Sequence, residues 1–305
     1  MKNLDVLYGE FLDYMLSEKN ASSLTIDSYR RDYNVLTEYL VSKRMPKSLD
    51  MLTTQNLRNY VNYMKKVKDY SSTTINRKIN SLRSFAKFLV INEYMDVNFM
   101  DRITAPKKEK KLPKVMKEEE LNKFLSVIMD YSDGNGLRDR AIFNLYASTG
   151  IRRQELINLN IEDVDLGNNT LKIVNGKGGR DRVVPLFEPT SSYLWEYLMT
   201  RLPVNDNKEP LFKSGYGNRI SVTAIQQLFR RYMKIAGLND KGYTIHTLRH
   251  TYATLILKNG GNLMEIKDLL GHADLNSTSI YLHTTVEQLR KTSKLHPLAK
   301  RNNEE

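Results

Sequence analysis

Between Ser22 and Arg44, the positions Ile26, Tyr29, Tyr33, Leu36 and Leu40 fall at three- and four-residue steps, the signature of one helical face. Ser22 and Ser23 stand just before it as capping candidates. "TTQNLRNYVNYMKKV" repeats the pattern from a threonine cap, and "SSTTINRKINSLRSFAKFLVINEY" repeats it from a serine cap. With the amphipathic opening stretch, these segments predict a four-helix bundle. Past "APKKEKKLPKVMK", where Pro106 and Pro113 bar a continuous helix, "KEEELNKFLSVIMD" and "LRDRAIFNLYASTGIRRQELINL" return to helical period, with Gly150 as punctuation. The period then changes to two. "IEDVDL", "NTLKIV" and "DRVVPLF" read as short strands, the last two joined by the Asn-Gly and Gly-Gly turn of "NGKGGRD". Helical patterns resume in "SVTAIQQLFRRYMKIAGL" and continue beyond His246. The expected class is predominantly α, formally α+β: a bundle followed by a mostly helical domain with a small three-stranded antiparallel sheet.

Composition narrows the partners. The 305 residues carry 47 Lys+Arg against 35 Asp+Glu, a formal charge of +12, which suggests an anionic partner such as nucleic acid. Part of the excess lies in the proline-bounded segment, where Lys107, Lys108, Lys110 and Lys111 lead a run suited to a solvated strap across a phosphate backbone. Arg77, Lys78 and Arg83 lie on the more polar side of their helix and are further candidates for DNA contact. The chain has no cysteine, which excludes disulfides, thiolate catalysis and cysteine-type zinc sites. The opening residues lack the pattern of a signal peptide, and no apolar run reaches bilayer length, so a cytoplasmic protein without a membrane partner is expected.

Candidate chemistry gathers in the C-terminal half. In "HTLRH", His246, Arg249 and His250 stand at i, i+3 and i+4, near one side of a helix. A metal site is not expected there. Thr247 occupies the place where a metalloprotease motif carries glutamate, and a permanent cation lies between the imidazoles. His250 adjoins the apolar "TYATLIL" and reads more simply as a packing residue. A guanidinium holds two phosphate oxygens in a fixed fork and stays charged through phosphoryl chemistry. The developing charge on a pentacoordinate phosphorus calls for a second one. Arg152 in "TGIRRQEL" offers it at a helix start, where backbone N–H groups also favour anions, and Glu155 at i+3 can hold it. An ordinary surface pair would look the same in sequence. Lys177 sits at the tip of the glycine-rich turn, where an ammonium can protonate a leaving alkoxide, although an idle loop lysine would look no different. His272 follows "LLG", and Tyr281 lies on the next short helical stretch, with Asn276 or Ser277 to cap it. A phenol with an ordinary pKa near ~10 needs such cationic company to attack phosphorus at neutral pH.

The order Arg152, Lys177, "HTLRH", "LLGH", Tyr281 resembles the tyrosine recombinase, or phage integrase, family, most closely its Xer-type members. "TIDSYRRDYNVLTEYL" and "TINRKINSLRSFAKFLV" are similar to the family's N-terminal core-binding bundle. "GKGGRDRVVPL" is similar to its β-hairpin signature, and "KLHPLAK" to the Xer tail that docks on a neighbouring subunit. The resemblance implies a SAM-like DNA-binding domain over 1–105, a basic linker over 106–117 and a catalytic domain over 118–305. It implies Tyr281 as a nucleophile forming a 3′-phosphotyrosyl bond, and Arg152 and Arg249 as clamps on the non-bridging oxygens. By the same resemblance Lys177 is the general acid, His246 a proton-transfer partner, His272 a phosphate ligand, and Glu155 an accessory acid orienting Arg152. It further implies a site-specific double-stranded DNA core, a C-shaped clamp of two domains on it, a synaptic tetramer joined by tail exchange, and no cofactor or metal. A type IB topoisomerase would share the transesterification without needing a partner site, and a DNA-binding regulator would need only the bundle.

Overall fold

The computed structural model describes residues 3–107, 113–130, 134–174, 181–204 and 206–271. The chain divides into two compact units, Met1–Lys111 and Leu112–Glu305.

In the first unit four helices, α1 (Leu4–Ser17), α2 (Ser23–Ser42), α3 (Thr54–Lys66) and α4 (Ser72–Ile91), enclose one core. Each start is set locally. Asn3, Ser22, Thr53 and Ser71 sit in extended backbone, and their side-chain oxygens accept an N–H of the first turn. The face read from spacing in α2 is the packed one: Ile26, Tyr33, Leu36 and Leu40 are buried, and Tyr29 is half-buried against the same core. Aromatic rings fill its centre, with Tyr8 stacked on Tyr33 at 4.0 Å and edge-on to Phe85 at 4.9 Å.

In the second unit, α5 (Glu118–Met129), α6 (Gly134–Thr149), α8 (Thr190–Met199) and α9 (Val222–Ile235) pack around Phe124, Phe143, Phe229 and Tyr232. The short α7 (Arg153–Asn158) leads to the sheet of β1 (Val164–Asp165), β2 (Thr170–Ile173) and β3 (Arg182–Pro185). The strands run antiparallel in the order β1-β2-β3, with Leu171 opposite both Val164 and Val184. The "IEDVDL" segment is only partly a strand, because Ile161–Asp163 forms a turn of 3-10 helix first. The turn between β2 and β3 lies outside the described residues. Helices α10 (Ile245–Lys258) and α11 (Leu263–Leu270) close the described fold, packed on each other through Ala253, Ile266 and Leu270. Among the described residues no helix is long and apolar enough to cross a membrane.

Two glycines beside the α10–α11 pair have backbones that other residues resist. Gly150, after α6, has φ +59°, and a side chain there would collide with Tyr252 and Leu270. Gly271 ends α11 at φ +62°.

Candidate active site

The positions of greatest interest meet where α6 turns into α7, beside the first residue of β3 and the ends of α10 and α11. The left-handed turn at Gly150 places Arg152 as the residue preceding α7. Glu155, one helical step on, bends back to it. Arg152 N–H donates to Glu155 Oε2 at 2.7 Å, and Arg152 Nη1 donates to Glu155 Oε1 at 2.7 Å. The anion-binding backbone expected at this helix start is therefore corrected in part, since the first N–H is already occupied by the chain's own carboxylate. What remains to Arg152 is the outer edge of its guanidinium, whose Nη2 donates to the carbonyl of Gly271.

Arg249 arrives from α10. The helix begins at Thr244, whose N–H donates to the Thr247 hydroxyl at 3.0 Å, so His246 falls in the first turn and Arg249 one turn later. Arg249 is 6% exposed, and its two terminal nitrogens donate to the carbonyls of Gly150 and Leu270. Arg152 and Arg249 thus hang on consecutive carbonyls at the C-terminal end of α11, where the helix dipole is negative. The same carbonyl row continues to Leu269, which accepts from Arg182 Nε at 3.0 Å. Over these bonds Arg152 and Arg182 share one carboxylate, and with Arg249 they donate to three neutral carbonyls at the end of α11 and to that of Gly150, leaving a positive centre suited to an anion.

Electrostatics follow from this crowding. Burial pushes the Glu155 carboxyl up, but hydrogen bonds from Arg182 and the Arg152 N–H, with the Arg182 charge, outweigh it and hold the group at about 2. His246 is pushed below its ordinary range by burial and by the charges of Arg153 and Arg249. His250 is lowered by burial, then by His246 and Arg249. His246 therefore stays neutral near neutral pH, able to accept a proton. Among the described residues, no group of three or more His, Asp or Glu side chains is placed to hold a metal ion.

The structure brings together Arg152, Glu155 and Arg249, with His246 one turn before Arg249 on α10. Lys177, His272 and Tyr281 lie outside the described residues, as do Lys108, Lys110, Lys111 and the "KLHPLAK" tail. Lys107 and Arg83 are exposed, although Arg83 spends one nitrogen on the Ile103 carbonyl at 2.9 Å. Lys78 requires correction. It is 5% exposed, and its ammonium donates to the buried Asp32 at 2.9 Å, so it faces into the bundle and not toward a phosphate. Arg77 forks the same Asp32 but keeps half of its side chain exposed. Arg182 was missed. The available signal was strand alternation, which puts Arg182 on the same face as buried Val184.

Comparison with known proteins adds to this geometry. A family described as "Phage integrase family" matches residues 114–288, and "Phage integrase, N-terminal SAM-like domain" matches residues 9–93. Tyrosine recombinase XerD of Staphylococcus epidermidis is 33% identical, covering 97% of this chain and 100% of that protein. Tyrosine recombinase XerC of Natranaerobius thermophilus is 33% identical, covering 95% and 98%. The XerH site-specific recombinase, in a crystal structure bound to palindromic difH substrate after cleavage, matches with TM-score 0.73 and 26% identity, covering 91% of this chain and 81% of that one.

Proposed function

This chain belongs to the phage integrase family and is a tyrosine site-specific recombinase, and from that premise we propose that it exchanges DNA strands through a covalent 3′-phosphotyrosine at Tyr281. Double-stranded DNA carrying a specific core site is the substrate, in keeping with the palindromic difH substrate bound by the XerH site-specific recombinase. The convergence of Arg152 and Arg249 on the carbonyls of Gly271 and Leu270, immediately before His272 in the chain, is the observation that carries this reading.

The reaction is a pair of transesterifications. The Tyr281 phenolate attacks phosphorus, the bond to the 5′-oxygen breaks, and Lys177 supplies the proton that makes the leaving group a hydroxyl. Arg152 and Arg249 bind the two non-bridging oxygens, where charge accumulates in the pentacoordinate transition state. Neutral His246 takes the phenol proton, and His272 hydrogen-bonds the phosphate. A 5′-hydroxyl from the second duplex then attacks the phosphotyrosine, regenerating the phenol. One phosphoester replaces another at each step, so the exchange conserves bond energy. Two duplexes with two strands each require four such sites, hence a tetramer, with the "KLHPLAK" tail passing between subunits. Exposed Arg77, Arg83 and Lys107, together with Lys108, Lys110 and Lys111, supply sequence-independent phosphate contacts.

A duplex nicked beside the cleavage point, which loses its short 5′-hydroxyl fragment and cannot be resealed, tests this directly. The wild-type chain is expected to become attached to the 3′ end, and Tyr281→Phe to bind the duplex without attachment. Attachment by the phenylalanine variant removes Tyr281 from the mechanism.

A further inference from the structure

Glu155 serves two arginines. Arg152 reaches it with its backbone N–H and Nη1, while Arg182 Nη1 donates to Oε1 at 3.0 Å and Nη2 to Oε2 at 2.7 Å. Each carboxylate oxygen accepts two bonds. Arg182 is itself held, because its Nε donates to the Leu269 carbonyl at 3.0 Å and its side chain is only 11% exposed. Only a planar guanidinium can fork a carboxylate and reach a third acceptor along another edge. The site makes room for it. A Cβ on Gly271 would lie 2.7 Å from Arg182 Nη1 and 2.9 Å from its Cζ, so a side chain at 271 would displace the group.

We propose that Arg182 is a positioning residue for the strand exchange, acting through Glu155 to set the orientation of Arg152. The argument rests on the role given above to Arg152 at the phosphate. A carboxylate facing one arginine alone binds it with both guanidinium nitrogens, the preferred fork-on-fork geometry. Here Arg182 occupies both oxygens of Glu155, so Arg152 is limited to one guanidinium nitrogen and turns Nη2 outward to the end of α11. Without Arg182 each carboxylate oxygen regains an acceptor position, Arg152 closes its fork on Glu155, and the nitrogen that would face the phosphate is withdrawn. Arg182 touches neither nucleophile nor leaving group in this scheme. Its effect is the aim of another side chain.

Cleavage of the nicked duplex at saturating protein, with equilibrium DNA binding measured in parallel, is the test. Arg182→Gln is expected to slow cleavage about 10- to 100-fold while DNA affinity changes by less than about threefold, the pattern of a misaimed group in an otherwise intact complex. Arg182→Lys, which keeps the charge but not the fork, is expected to recover part of that loss. The double variant Glu155→Gln, Arg182→Gln is expected to cleave within about twofold of Glu155→Gln alone, because Arg182 has no carboxylate left to act through. A folded Arg182→Gln chain cleaving at the wild-type rate overturns the proposal, and so do losses that multiply in the double variant. Should the glutamine variant not fold, Arg182→Lys alone and combined with Glu155→Gln decides by the same two comparisons. Tyr281→Phe in the same assay keeps the questions apart. Attachment by that variant overturns the reaction scheme, whereas a wild-type rate from the Arg182 variants overturns only the positioning role.

Discussion

Among the described residues, each unit has a buried carboxylate gripped by two basic side chains, Asp32 in the first and Glu155 in the second, and the two clusters do different things. In the bundle, Asp32 of α2 is 3% exposed and takes Arg77 at 2.6 Å through both oxygens and Lys78 at 2.9 Å, both from α4. The Lys78 ammonium also lies 5.3 Å over the Tyr70 ring, and Arg77 Nη1 is shared with the Ser28 hydroxyl at 2.6 Å. Lys78 is turned inward and Arg77 lies half-exposed over the same carboxylate, so that the pair ties α2 to α4. At Glu155 the bases come from a helix start and a strand, and their remaining donors run on to the carbonyls ending α11, beside Arg249. The contrast lies in where the remaining donors point. Acceptors of the bundle absorb one set, while the other ends on the carbonyls closing α11, where three guanidinium charges face one carboxylate.

The comparison breaks most readily at Asp32. Removing one partner from a buried ion cluster leaves the other charge without compensation, a loss of about 3–5 kcal/mol. Asp32→Ala is expected to cost that much, because the Lys78 side chain, only 6% exposed, cannot bring its ammonium to water without opening the α2–α4 contact. Amide hydrogen exchange over α2 and α4 in the full chain reads it locally. A loss under about 1 kcal/mol would mean that the inward cluster is no more structural than a surface pair.

Glu155 gives the next largest effect, and acid exposes it. Its folded carboxyl is held at about 2, against an ordinary value of 4.5. A depressed acid contributes stability that is complete above the unfolded value and disappears as the pH falls through the folded one. The window is therefore pH 4.5 down to about 2. The contribution at neutral pH is on the order of 3 kcal/mol, from ~1.4 kcal/mol per pKa unit. Stability of the second unit is expected to fall by that amount across the window, and Glu155→Gln, which cannot titrate, should remove that part of the pH dependence. Identical acid profiles for wild type and variant would show that Arg152 and Arg182 do not stabilise the charge.

These two clusters also mark how far the residues spoke for themselves. Helices, caps and the paired β2 and β3 were legible because they follow from period and from a serine or threonine at a boundary, both local properties. The Arg152–Glu155 pair was legible for the same reason, since i and i+3 lie on one side of a helix start. Arg249 was legible as an arginine between two histidines with no acid at helical spacing. Lys78 was misread because its partner, Asp32, is 46 residues away on another helix, and helical spacing carries no information about which face a distant carboxylate will cover. Arg182 was missed for the mirror reason. Its partner lies 27 residues back, and a basic residue on a short strand reads as exposed until the buried Val184 beside it on the same face is taken into account. Local signals show which groups can meet, and long-range packing decides what is left over for a substrate.

The smallest expected effect sharpens that point, because it keeps the spacing and removes the burial. Asp27 and Arg30 of α2 stand at i and i+3, as Arg152 and Glu155 do, and face each other at 3.6 Å. Their side chains are 61% exposed for Arg30 and 56% for Asp27, against 23% for Arg152 and 7% for Glu155. Water screens the exposed pair, and two long side chains lose entropy in meeting, so their coupling should be within about 0.5 kcal/mol of zero. Single replacement by alanine also raises helix propensity, which obscures so small an effect. The measurement is therefore a double-mutant cycle over Asp27→Ala and Arg30→Ala, in which the propensity gains cancel. A coupling above about 1 kcal/mol would mean that i, i+3 spacing suffices to make a strong pair, and the strength assigned to Glu155 would no longer need the buried Arg182 to account for it.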